Sequence, residues 1–74
     1  MNRNELRVEM LRHGDTSETL AAYLRISMAS FSKKINAQRD FRQREIQKIK
    51  DRYQLAPERL DAIFFAPEVT ENAT

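Results

Sequence analysis

Across residues 16–36 the apolar positions fall into two short helical sets divided by a tight turn. Leu20, Ala21 and Leu24 share one helix face; Phe31 and Ile35 share another at i, i+4; Ile26 is the apolar plug of the turn at residues 25–27. Packing these positions together leaves Met28, Ala29, Ser30, Ser32 and Lys33 on the far side of the second helix, which is expected over residues 28–35 with Ser27 as its N-cap.

The same spacing extends in both directions. A first helix is expected over residues 4–13, capped by Asn4, with Leu6 and Met10 inward, Val8 and Leu11 as a second stripe with Leu11 at the edge, and Gly14 taking the left-handed stop. Asp15 or Thr16 then caps the second helix: Asp15 with Glu18 fits a capping box, and Thr16 fits the alternative register. After a loop at 36–41 that holds Phe41 as a core anchor, a fourth helix over 42–53 buries Ile46, Ile49 and Tyr53, and Leu55 closes its end. Pro57 suits the first position of a short fifth helix that buries Leu60 and Ile63 or Phe64. Ala66 and Pro67 end it, and residues 68–74, which carry no periodicity, are expected to be disordered.

No strand pattern, repeat or glycine-rich stretch competes. The expectation is therefore an all-α protein: a compact bundle of five short helices in one domain over residues 1–66, with a disordered tail at 67–74. Helices shorter than about 12 residues are marginal alone in water, so tertiary packing must hold these. With no cysteine in the chain, neither disulfides nor thiolate zinc ligands can assist.

Charge changes the picture more than composition does. The formal net charge is only +2, yet residues 33–52 hold eight basic and three acidic side chains, whereas residues 1–32 balance and residues 53–74 are net acidic. A basic centre beside an acidic end suits one face for a polyanion and another kept away from it.

The run LAAYLRISMASFSKKINA followed by RDFRQREIQKIKDRYQLAPERL resembles the phage-repressor and Cro-like helix-turn-helix family, often called the XRE family, over about residues 6–65. Ala21 matches the small residue of the first motif helix, Ile26 the turn hydrophobe, Phe31 the core residue of the recognition helix, Asn36 the polar residue that closes the motif, and Tyr53-Gln54-Leu55 the end of the fourth helix. The resemblance implies a lambda-repressor-like fold and a sequence-specific DNA-binding transcriptional regulator, a repressor or Cro-like protein of phage or mobile-element origin. It also implies that helix 28–35 enters the major groove, so that Met28, Ala29 and Lys33 face base edges, flanked by Ser30 and Ser32. Phosphate contacts are expected from Ser17, Ser27, Lys34, Asn36, Arg39 and Arg42. About five neutralised phosphates give a slope of log K on log salt near −4 to −5.

Four positions depart from the family pattern. Arg25 and Ala37 stand where glycine is common, and Arg42 and Ala56 where a Ser or Thr cap is usual. Together they predict modest stability and frayed helix starts. The reading face also lacks Arg, Gln and Asn, the side chains that contact bases in pairs of hydrogen bonds, so phosphates and DNA shape are expected to carry a larger share of recognition.

Double-stranded DNA is thus the expected partner, with a possible homodimer through helix five, where Phe64 and Phe65 do not both fit easily into one small core. The alternative is one core ring and one loosely covered ring. Lys48, Lys50 and Arg52 read as a solvated helix face, and His13 as a cation at a helix C-terminus. Glu5 with Glu9 and Glu58 with Asp61 read as ordinary exposed helix charges. No His paired with a nucleophile, no phosphate-cradling glycine loop and no paired carboxylates suggest an enzyme, and nothing suggests a metal, cofactor or small-molecule ligand. No apolar run of about 18 residues or signal-like leader is present, so no membrane association and a cytoplasmic location in a bacterial or phage-infected cell are expected. The competing function is a helical protein–protein interaction module whose basic middle meets an acidic partner and which has no DNA-binding role.

Overall fold

The computed structural model describes residues 1–65; the helix stop expected at Ala66 and Pro67 and the tail expected at 67–74 lie outside the described residues. Among the described residues the chain is all-helical, with α1 at Arg3–Arg12, α2 at Ser17–Leu24, α3 at Met28–Ile35, α4 at Gln43–Tyr53 and α5 at Pro57–Leu60. The last helix passes straight into a wider, π-spaced turn over Asp61–Phe65.

Helices α1 to α4 all end on a left-handed residue. After α1, Gly14 (φ 73°) allows its own N–H to reach the Leu11 carbonyl and the Asp15 N–H to reach the Met10 carbonyl at 2.8 Å. The same pair of bonds recurs after α2, where Arg25 donates to Ala22 and Ile26 to Ala21, and after α3, where Ala37 donates to Lys34 and Gln38 to Lys33. After α4 the Leu55 N–H reaches Lys50. Only the first of these stops uses glycine. Arg25, Ala37 and Gln54 hold φ of 61°, 63° and 52° with a side chain in place, a cost of about 1 kcal/mol at each position. The departures at Arg25 and Ala37 therefore do fall on backbone that favours glycine.

The helix starts are more uneven. Asn2, not Asn4, caps α1, its side chain accepting the Glu5 N–H at 3.3 Å, so Asn4 is the second residue of the helix, inside its first turn. Thr16 caps α2 through a reciprocal pair of bonds with Thr19, 3.2 and 2.9 Å, which settles the register left open between Asp15 and Thr16. Arg42 and Ala56 supply no side-chain cap to α4 and α5.

Leu6, Leu20, Phe31, Ile49 and Ile63 are the largest fully buried side chains. Phe31 meets Phe41 edge-on at 6.2 Å, and Phe41 meets Phe64 at 5.8 Å, so one aromatic row links α3, the following loop and the C-terminal turn. Ile63 and Phe64 both enter the core, Leu60 is half-buried, and Leu11 stands fully in solvent instead of at an edge. The Asn2 N–H donates to the Ile63 carbonyl at 2.7 Å and closes the two ends of the bundle on each other.

Two groups of charges expected at the surface are instead structural. Glu9 is buried and receives Arg59 Nε at 2.6 Å while Arg59 Nη1 reaches Glu5 at 2.7 Å, clamping α5 to α1. Asp15 is buried as well: Arg52 grips both its oxygens at 2.8 Å, the Tyr53 hydroxyl donates at 2.5 Å and the Thr19 hydroxyl at 2.8 Å. Arg52 also lies 4.5 Å over the Tyr23 ring, so although it is exposed, as expected of that helix face, it is tied into structural contacts. His13, at the end of α1, stacks on Tyr53 at 4.5 Å.

Hydrogen bonds from Arg52, with those from Tyr53 and Thr19, outweigh burial and hold the Asp15 carboxyl well below the usual carboxylate range. Burial and the bond it donates to Asp15 push the Tyr53 phenol above its ordinary value. Folding lowers the Asp15 pKa, so its contribution to stability is present above the unfolded value of about 3.9 and drains away as pH falls below it. Folding raises the Tyr53 pKa, so its contribution is present below about pH 10 and is lost as pH climbs past it. The melting temperature, followed by circular dichroism, is expected to fall on both sides of a neutral plateau. Asp15→Asn should melt lower at neutral pH and lose less on acidification; an unchanged acid limb contradicts this assignment.

Candidate nucleic-acid interface

The sequence SMASFSKKI builds a helix with two unlike sides. Ser27 stays extended (φ −72°, ψ 160°) and its hydroxyl accepts the Ser30 N–H at 3.0 Å, which starts α3 cleanly. Phe31, Lys34 and Ile35, at i, i+3 and i+4, are the buried side. The opposite side presents Met28, Ala29, Ser32 and Lys33 to solvent, with Met28 46% exposed and Ser30 half-buried. The five side chains expected to face bases are thus brought to one surface, four of them exposed.

Lys34 requires a correction. It was expected on a phosphate, yet it is 5% exposed and its Nζ donates to both Glu45 oxygens at 2.7 and 2.8 Å. Its position three residues after Phe31 places it on the inner face, and Glu45 sits where a buried ammonium needs a partner. Glu45 Oε1 also accepts the Arg42 N–H at 2.8 Å, supplying the cap that the Arg42 side chain does not. Burial pushes the Glu45 carboxyl up, but the Lys34 ammonium and the Arg42 N–H outweigh it and hold the group below its usual range.

The other expected phosphate ligands remain at the surface. Ser27, Asn36, Arg39 and Arg42 are exposed, and Ser17 is half-buried at the start of α2. Among the described residues none of Lys33, Arg39 and Arg42 forms an ion pair, whereas Arg12, Lys34, Arg52 and Arg59 all do. Arg3 was not anticipated here: its Nη1 donates to Asn36 Oδ1 at 3.1 Å, which brings a cation from α1 to the end of α3. Thirty-three residues separate the two, and no local spacing announces the contact.

Phe64 is also corrected. It was expected with Phe65 on a surface between two copies, but it is 9% exposed and packed edge-on against Phe41, while Phe65 is 55% exposed. The outcome is one core ring and one outer ring. Among the described residues no cluster of side chains could hold a metal ion, and no helix is long and apolar enough to cross a membrane.

No family model matches the chain, and no curated protein or solved structure matches it either.

Removing one partner of the buried pair leaves an uncompensated charge. Lys34→Met is expected to cost about 3–5 kcal/mol in denaturant unfolding, and Lys34→Met with Glu45→Leu to recover most of that loss. A near-neutral single variant contradicts the burial of this pair.

Proposed function

We propose that this chain is a sequence-specific DNA-binding transcriptional regulator of the phage-repressor and Cro-like kind, with a lambda-repressor-like arrangement in which α3 lies in the major groove. The observation that carries this reading is the two-sidedness of α3. Its inner face is fixed by Phe31, Ile35 and the Lys34–Glu45 pair, while Met28, Ala29, Ser32 and Lys33 project outward beside unpaired cations of the next loop. A short turn plugged by Ile26, which is half-buried, connects α2 to this helix, and that is the local geometry by which such motifs project a recognition helix.

In this reading Lys33 donates to guanine O6 and N7, and Met28 and Ala29 meet thymine methyl groups. Ser17, Ser27, Asn36, Arg39 and Arg42 touch the backbone and set the register. With Lys34 withdrawn, Arg39 and Arg42 are the two cations left in that set, which together give a salt slope of about −1.8. Two copies pairing through Phe65 would turn one sparse reading face into a palindromic one.

Fluorescence anisotropy with random-sequence duplex at low salt is the first test, followed by selection of bound sites from a random pool. Binding that weakens with salt along that slope supports the proposal. No binding to any duplex favours the alternative, a module that docks an acidic protein partner. Lys33→Ala is expected to weaken the selected site more than random duplex, and Arg39→Ala to weaken both about equally while lowering the salt slope by about 0.9. Equal effects of the two substitutions on selected and random duplex contradict the division between base and phosphate contacts.

A further inference from the structure

An open cleft of about 630 Å3 lies between the α2–α3 turn and the start of α4. Ile26, Ser30 and the buried Lys34 line it together with Arg39, Arg42 and Arg44. The two acids that border it do little to neutralise it: Glu45 is already committed to Lys34, and Asp40 is a single exposed carboxylate. All three arginines are exposed, and among the described residues none of them forms an ion pair.

Arg44 is the member that the fold does not explain. It occupies the second position of α4, in the first turn, where a cation opposes the helix dipole and an acid would be favoured. Among the described residues its side chain makes no hydrogen bond that would compensate. A side chain that breaks a local stability rule without a structural return is where a binding role is sought first. The planar fork of a guanidinium matches phosphate oxygens better than an ammonium does, and three forks about one cleft beside the outward face of α3 suit a strand running along that helix.

We infer that this cleft seats a backbone phosphodiester of the strand that α3 faces, with Arg44 as a ligand beside Arg39 and Arg42 and with Ile26 as the apolar wall against the sugar. The inference rests on the reading of α3 as the groove-facing helix. Arg44 carries no base information in this arrangement. It adds the same affinity to every sequence and couples binding more steeply to salt.

The test uses the full chain, random-sequence duplex and a salt series read by anisotropy. Arg44→Gln is expected to reduce the magnitude of the salt slope by about 0.9 and to weaken selected and random duplex by the same factor. Arg44→Lys, which keeps the charge, should retain the slope, and Arg7→Gln, an exposed α1 cation outside the cleft, should leave it unchanged. The melting temperature of Arg44→Gln should not fall, so a change in binding cannot be ascribed to unfolding. If the native chain binds duplex and Arg44→Gln keeps the native slope, or Arg7→Gln loses as much, the cleft inference is overturned while the groove reading stands. If the native chain binds no duplex, the groove reading itself fails and the cleft falls with it.

Discussion

The buried contact between Lys34 and Glu45 determines what the rest of the chain can present. It joins the inner face of α3 to the first turn of α4, and because Glu45 also takes the Arg42 N–H, a single carboxylate fixes the rotation of one helix and the start of the next. An ion pair taken out of water contributes little net stability, but it is selective about geometry. An apolar residue at position 34 could fill the same space without holding the loop that carries Arg39 and Arg42. With that contact in place, Met28, Ala29, Ser32 and Lys33 have only the outward side of α3 left to occupy.

Two further charge clusters follow the same logic at longer range. Arg59 reaches back to Glu5 and Glu9, and Arg52 to Asp15, so that the start of the chain is tied to α5 and the start of α2 to the end of α4. These links matter in a bundle whose helix stops at Arg25, Ala37 and Gln54 are held in left-handed backbone without glycine, and whose α4 and α5 begin on residues with no capping side chain. Strain at the ends is offset by the aromatic row and by hydrogen-bonded charges between segments far apart in sequence. Among the described residues Lys33, Arg39, Arg42 and Arg44 form no ion pair, and neither do Arg3, Arg7, Arg25, Lys48 and Lys50.

The helix count, the order of the helices and nearly the whole apolar core were legible from spacing, because Leu6, Leu20, Phe31, Ile49 and their neighbours repeat at helical intervals and are inside. The left-handed stop at Gly14 was legible for a similar reason: one residue type favours that conformation. Buried charge was not. Lys34 and Glu9 were read as surface because isolated charges seldom leave water, Asp15 was read only as a helix cap and Glu45 was given no role; the partners of these charges lie from 11 to 50 residues away, beyond any local pattern. Lys34 alone carried a signal, its place on the stripe of Phe31 and Ile35. Of the candidate interface, the exposed residues of α3 were foreseen from the same helical period that hid their neighbour. Arg3 beside Asn36 and Arg44 beside Ile26 depend on tertiary packing, so only the folded chain reveals them.

On the proposed function, the outward side of α3 is a nucleic-acid surface held in place from within. Amide chemical-shift mapping of the isotopically labelled chain during titration with random duplex tests it most directly. The largest shifts are expected in a contiguous patch over residues 27–33 and 39–44, with α1 residues such as Val8 and Leu11 little changed. Shifts centred on the outer face of α1, or none anywhere under conditions where the fold is intact, would contradict it.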